Sequence, residues 1–298
     1  MSNFSGIIEE RTRDLGSFLV GRILPFRKKR MVGPFAFIDH MGPTQIDPSK
    51  NLEVDQHPHI GISTLTYLIE GSILHSDSLG SLQQIDPGAV NLMISGKGIA
   101  HAERTPESLK GKSYAMHGYQ LWIALPIEKE GMDPEFHHLP ADEVPSWEEG
   151  GLKFRLIIGD GFGRSSSLPS TSPMFFIEVI AEQDSTLRLN GQVDGEIGIL
   201  VNAGSIIADE EEIAAGNMLV SKETTCKITI QKGSRVFVLG GEPFPEKRYM
   251  DWNFVSSDLE TIREAKQEWA DRQFPKIPGD DSYIPLPEPR AGNIKLKQ

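Results

Sequence analysis

Hydrophobic positions along this chain recur in short runs set close together, not at helical spacing. Examples are "TLTYLI" (64–69), "AVNLMIS" (89–95), "YQLWIAL" (119–125), "KFRLIIGD" (153–160), "MFFIEVIA" (174–181), "CKITIQ" (226–231) and "RVFVLGG" (235–241). β-Branched and aromatic residues dominate them, and Gly, Pro, Asn and Asp separate them. Many short strands at regular spacing predict an all-β molecule of sandwiches or barrels. The stretch 128–151 is polar and proline-bearing and shows little alternation, so it reads as a connection between two β halves. Residues 68–88 ("LIEGSILHSDSLGSLQQIDPG") and 200–216 ("LVNAGSIIADEEEIAAG") share a phrase: strand, small turn, "GSI", acidic turn, then glycine before a further strand. This weak internal repeat predicts two β-barrels of one kind.

One segment departs from the β pattern. "SSDLETIREAKQEWADRQF" (256–274) places Leu259, Ile262, Ala265 and Trp269 on one helical stripe, and Ser257 stands three before Glu260 at a capping-box spacing. An amphipathic helix facing the core is expected. The proline-rich tail after Phe274 should be extended, either docked on a barrel or loose.

Composition narrows the class. The chain has 298 residues, a formal charge of −12 and one cysteine, Cys226. A strongly acidic field disfavours nucleic-acid backbone. The basic cluster "RKKR" (27–30) reads as a solvated turn. No apolar run reaches the ~18 residues of a membrane span. The N-terminal residues do not resemble a cleavable leader. A lone cysteine excludes an intrachain disulfide, and a cytoplasmic location is expected.

The chemistry is carried by "VDQHPHIGIST" (54–64), which places His57 and His59 two apart in a β-like run. On a strand, i and i+2 share a face about 6.6 Å apart, so both imidazoles can converge on one ion with bonds of about 2.0–2.1 Å. "ISGKGIAHAERT" (94–105) repeats the geometry with His101 and Glu103. Two such pairs on facing strands of one barrel would supply three nitrogens and one carboxylate oxygen. All eight histidines fall at or before position 138, so a second barrel cannot build a histidine site. Among the others, His40 and His117 are expected in structural hydrogen bonds near strand ends, and His75 as a structural residue that could back a ligand. His137 and His138 are expected to be solvated. Gln120 and Asp39 are candidate partners for ligand imidazoles, while Glu70 and Asp77 read as turn residues.

These phrases, together with "PFAFIDHMGP" (34–43), "YLIEGSILHSDSLG" (67–80), "HGYQLWIALP" (117–126) and "VLGGEPFPE" (238–246), resemble the pirin family of the cupin superfamily. The resemblance implies a bicupin. An N-terminal metal-binding barrel would span 1–135, a linker 136–150, and a second barrel 151–250. A C-terminal helix and extended tail would follow over 251–298. The implied metal ligands are His57, His59, His101 and Glu103, with Glu103 also the candidate catalytic group. That donor set suits Fe(II), Mn(II), Co(II), Ni(II) or Zn(II), and the resemblance favours iron. It implies a dioxygenase of the quercetin 2,3-dioxygenase type, acting with O2 on a flavonol or similar planar phenolic. The alternative is a non-enzymatic, redox-sensing iron protein that binds a protein partner. The chain departs from the family where an Arg usually follows the second histidine (here Ile60) and a Glu follows shortly after (here Ser63). Both substitutions are expected to reshape the mouth of the site.

Overall fold

The computed structural model describes residues 4–14, 19–49, 51–221 and 226–288. Two β-barrels of matching construction account for most of them. In the first, a seven-stranded antiparallel sheet runs in the order Glu135–Leu139, Val90–Ile94, Ile62–Glu70, Tyr114–Ala124, Phe35–Ile46, Leu19–Leu24, Arg11–Asp14. A four-stranded sheet, Glu53–His59, Ile99–Arg104, Ile73–Asp77, Leu82–Ile85, completes it. In the second barrel, the four-stranded sheet is Ser185–Arg188, Lys227–Ile230, Ser205–Ala208, Glu211–Ala214. The repeated phrase therefore lays down the same strands in both halves, as the sequence predicts.

The two large sheets pack on each other. The strand Ile62–Glu70 is buried on both faces over most of its length. Leu65 and Tyr67 join Phe176, Phe237 and Leu239 of the second barrel in one shared apolar core, leaving Thr64, Thr66 and Leu68 on the opposite face. Polar anchors cross the junction. The Tyr67 hydroxyl donates to Glu178 at 2.7 Å, and Arg155 donates to the carbonyls of Gly88 and Ala141, both at 2.8 Å. Lys29, within the basic cluster expected to be a solvated turn, pairs instead with Glu196 of the second barrel.

Barrel membership departs from chain order at the first strand, and the stretch between the halves carries strands of its own. The first strand, Phe4–Glu9, pairs with Asn217–Ser221 and so extends the second barrel's large sheet. The next, Arg11–Asp14, returns to the first barrel. Within the stretch read as a connection, Glu135–Leu139 pairs with Val90–Ile94 and Ser146–Glu149 pairs with Leu152–Gly161. His138 is thus not simply solvated, since its Nδ1 lies 2.7 Å from Asn91 Oδ1. Edge strands bury only one face and need little apolar alternation, which is why the pattern missed them.

The C-terminal segment doubles back over the first barrel. A hairpin (Tyr249–Asp251, Phe254–Ser256) leads into the helix Leu259–Ala270, which buries Ile262, Ala265 and Trp269 as the stripe predicts. Its cap is Asp258, whose side chain accepts from the Thr261 N–H at 3.1 Å, not Ser257. Ser257 is occupied by Glu130, which accepts from both its N–H and its hydroxyl. The tail is docked as far as it is described: Ile284 N–H donates to Gln56 O at 2.9 Å, and Trp269 stacks on Tyr283. Among the described residues, no helix is long and apolar enough to cross a membrane.

Candidate metal centre

The four-stranded sheet of the first barrel puts its chemistry on one face. His57 lies directly across from His101, and His101 lies across from Asp77 on its other side. Glu103 is across from His75. Two-residue spacing keeps His57 with His59, His101 with Glu103 and His75 with Asp77 on that face. His57, His59 and His101 converge. One ligand nitrogen from each lies within 4.8 Å of the others, and the ring centroids are 4.3–5.1 Å apart.

Backbone carbonyls fix two of the rings. His57 Nδ1–H donates to Asp55 O at 2.8 Å and His59 Nδ1–H to Asn253 O at 3.1 Å, which leaves each Nε2 with its lone pair free. The Asn253 carbonyl comes from the C-terminal hairpin, 194 residues along the chain from His59. His101 Nε2 is buried with no hydrogen-bond partner among the described residues. An orphaned, buried acceptor costs about 1–3 kcal/mol unless something binds it, so this atom fits a metal ligand. Burial keeps all three rings neutral. It depresses His57 to about 4 and holds His59 and His101 well below the usual imidazole range, with neighbouring imidazoles adding to the effect. Neutral imidazoles are the form that binds a cation.

Behind His101 stands a relay. Its Nδ1 faces His75 Nδ1 at 3.4 Å, and His75 Nε2 lies 2.9 Å from Asp77 Oδ2. Asp77 Oδ1 accepts from the N–H groups of Leu79 and Ser81 at 2.9 and 3.0 Å. Burial works to raise the Asp77 pKa, but the hydrogen bond and charge of His75, with the Ser81 bonds, outweigh it and hold the carboxyl below its usual value. The anion takes the His75 Nε2–H, so His75 Nδ1 accepts from His101 Nδ1–H and the lone pair of His101 is left on Nε2. Asp77 was read from sequence as a turn residue. The overlooked signal was its own two-residue spacing from His75, the same spacing that marks the ligand pair.

Glu103 lies on the ligand face, but its carboxylate is not among the atoms that cluster within 4.8 Å. It has no hydrogen-bond or ion-pair partner among the described residues, and burial pushes its carboxyl up to about 7. Trp122 meets His59 edge-on at 5.2 Å and stacks on Phe37 at 4.1 Å, while Phe136 stacks on His75 at 4.5 Å. The imidazoles therefore sit against flat apolar rings.

Other expectations are corrected. Asp39 is bound by Arg22 through two bonds of 2.7–2.8 Å, and Gln120 accepts from Thr66; neither touches a ligand imidazole. Ile60 faces away from the site into a cluster with Ala100, Phe254, Ile262 and Trp269. Ser63 pairs across with Ile94 and Ile123 and shares the face of Leu65, toward the other barrel. One-residue parity accounts for both: each lies an odd number of positions from a residue on the inner face. In the second barrel, the corresponding sheet carries Leu187, Ile206, Ile228 and Ile230, which fill its interior as apolar core.

Comparison with known proteins agrees with this architecture. Residues 17–123 match the Pirin family model and residues 176–275 match the Pirin C-terminal cupin domain. A pirin-like protein of Caulobacter vibrioides is 45% identical over 288 residues, covering 95% of this chain and 99% of that protein. The crystal structure of a quercetin 2,3-dioxygenase from Acinetobacter baumannii superposes with a TM-score of 0.87 at 35% identity, covering 97% of each chain. A bacterial pirin from Escherichia coli, solved in complex with nickel(II), shares the fold at a TM-score of 0.64 and 19% identity, covering 80% of this chain and 99% of that one. Two cupin barrels, a three-histidine cluster confined to the first of them, and matches over both halves place this chain in the pirin family.

Proposed function

We propose that this protein is an iron-dependent dioxygenase of the quercetin 2,3-dioxygenase type, cleaving a flavonol or similar planar phenolic with O2. The observation that carries the reading is the buried set of three neutral imidazoles, one with an orphaned Nε2, on a sheet face shared with Glu103. In this reading His57, His59 and His101 would hold the ion, with Glu103 on the same sheet face as the carboxylate donor. When bound, the metal supplies the Lewis acidity that favours an ionised substrate hydroxyl and the redox partner that O2 requires. The remaining work falls to side chains. In the metal-free protein burial makes Glu103 more basic than an ordinary carboxylate, and on leaving the ion it would be the group placed to accept the proton of a phenolic hydroxyl. Trp122, edge-on to His59, gives the site an apolar ring wall, backed by Phe37, over whose ring the Arg22 guanidinium lies.

The test is anaerobic loading of metal-free protein with Fe(II), Mn(II), Co(II), Ni(II) or Zn(II) in parallel, followed by O2 uptake with quercetin. The iron-loaded protein is expected to consume O2 in step with flavonol loss. Glu103→Gln is expected to lower kcat by about 10²–10⁴-fold. His59→Ala should abolish stoichiometric Fe(II) loading of the three-histidine centre, and His138→Ala should leave it intact. Fully iron-loaded protein that takes up no O2 with any flavonol would overturn the proposal.

A further inference from the structure

A second convergence of nitrogen and oxygen donors lies where the two barrels meet, away from the three-histidine cluster. His40 comes from the strand Phe35–Ile46, His117 from Tyr114–Ala124, and Asn202 from Glu196–Ala203 of the second barrel. All three are buried, with relative exposures of 7%, 9% and 8%. His40 Nε2 and His117 Nε2 are 3.0 Å apart. The Asn202 side-chain amide stands 3.0 Å from His117 Nε2, 3.4 Å from His40 Nε2 and 2.9 Å from the Tyr119 hydroxyl. Behind His40, its Nδ1 lies 2.9 Å from a carboxylate oxygen of Glu10.

Protons alone leave this group poorly satisfied. The Glu10 carboxylate takes the His40 Nδ1–H, so neutral His40 presents a lone pair at Nε2. His117 Nε2–H can fill that lone pair, but then the Asn202 N–H has no acceptor on His117. In the same arrangement Asn202 Oδ1 is buried with no partner among the described residues. Exchanging the amide's nitrogen and oxygen only moves the unpartnered position onto the N–H2, so either orientation leaves one polar atom of Asn202 without a partner among the described residues. The exchange also sets an oxygen 3.0 and 3.4 Å from the two imidazole nitrogens.

We infer that His40 Nε2, His117 Nε2 and Asn202 Oδ1 form a second divalent-cation site, which joins the two barrels. At bond lengths of about 2.1 Å, donor separations of 3.0–3.4 Å subtend about 90–110° at a shared ion, the range of octahedral or tetrahedral coordination. Because His40 is held by Glu10 and stacked on Tyr119 at 4.6 Å, it is the His117 ring, whose χ2 well is broad, that turns to bring the lone pairs toward that apex. Glu10 fixes the His40 tautomer in the carboxylate–histidine arrangement common behind metal ligands, and it supplies a negative charge. Glu10 and His40 also line a cavity of about 430 Å³, which approaches the group from the Glu10 side. Two imidazoles and an amide oxygen select a borderline first-row ion such as Zn(II), Ni(II) or Co(II) over Mg(II) or Ca(II). The inference is independent of the oxygenase reading.

The test is Zn(II) stoichiometry on the full chain after metal stripping and desalting, by elemental analysis and titration calorimetry. Wild type is expected to hold two equivalents. A His57→Ala/His59→Ala variant should retain one, and adding His117→Gln should remove it. In the same two-alanine background, Asn202→Asp should tighten Zn(II) binding about tenfold, because a carboxylate is the stronger donor. Zn(II) should also raise the melting temperature of that background, since donors from both barrels bind the folded form alone. Loss of all zinc from a folded His57→Ala/His59→Ala protein would overturn the inference, as would an equivalent that survives His117→Gln. Should the two-alanine variant fail to fold, the comparison of wild type with His117→Gln decides: two equivalents against one supports the site, and equal stoichiometry overturns it.

Discussion

At the scale of single residues, the metal centre depends on which nitrogen of each ring carries a proton. His101 has no carbonyl to set its tautomer and relies on the His75–Asp77 relay. Asp77→Asn tests this. The amide would still accept from Leu79 and Ser81, but its N–H2 would face His75 Nε2 and push the His75 proton to Nδ1. His101 Nδ1 would then have to accept, which moves its own proton onto Nε2, the atom that binds metal. Metal affinity is expected to fall about 10–100-fold, measured by chelator competition, with near-native far-UV circular dichroism. An unchanged affinity would exclude the relay. The two-residue spacing of His57/His59 and His101/Glu103 is legible in the sequence because strand parity is local. Parity also shows that Ile60 and Ser63 do not share the ligand face, once the strand positions are known. The separation of Glu103 from the imidazole cluster was not legible. It goes with a register shift against the strand Glu53–His59, where Glu103 pairs with Val54 and not with Asp55.

At the scale of elements, the C-terminal helix acts on the metal centre through the sheet it covers. Trp269 is 3% exposed, donates from its indole nitrogen to Ile284 O at 2.9 Å, and packs in a cluster with Ile60, Ala100 and Phe254. Ala100 lies on the strand that bears His101, and Ile60 directly follows the strand that ends at His59 and bridges to Phe254. Trp269→Ala is expected to cost about 3–5 kcal/mol of stability. It should also weaken metal binding, because the same segment supplies the Asn253 carbonyl that orients His59. Denaturant midpoints and chelator competition read the two effects separately; loss of stability with full metal affinity would show that the carbonyl holds its place without the helix. The helix itself was readable from its 3.6-residue stripe. Its cap was displaced by one residue because Glu130, 127 positions away in the chain, captures Ser257.

At the scale of the whole molecule, burying several neutral imidazoles makes the metal-free protein sensitive to acid. A group whose pKa is depressed in the folded state contributes its full stability above its unfolded pKa, near 6.5, and loses it as pH falls toward the folded value. For His57 the window runs from about 6.5 to about 4, and at pH 5 the loss from this residue alone is about 2 kcal/mol. His59 and His101 shift in the same direction and add to it. Urea midpoints of metal-free protein should therefore drop from pH 7 to pH 5. A flat profile would mean that the rings gain protons without unfolding cost.

The sequence alone determined the β character, the repeat, the helix, the paired ligand positions and the restriction of histidine chemistry to the first barrel. Each of these is a matter of residue type and spacing within one segment. Only the tertiary structure decided that the first strand pairs with the second barrel, that Asn253 and Asp77 orient ligand rings, that Ile60 lies under the helix, and that His40, His117 and Asn202 meet. Those relations join residues up to 217 positions apart, as between Phe4 and its strand partner Ser221. Periodicity records which face of an element is buried, but it carries no information about the element that does the burying.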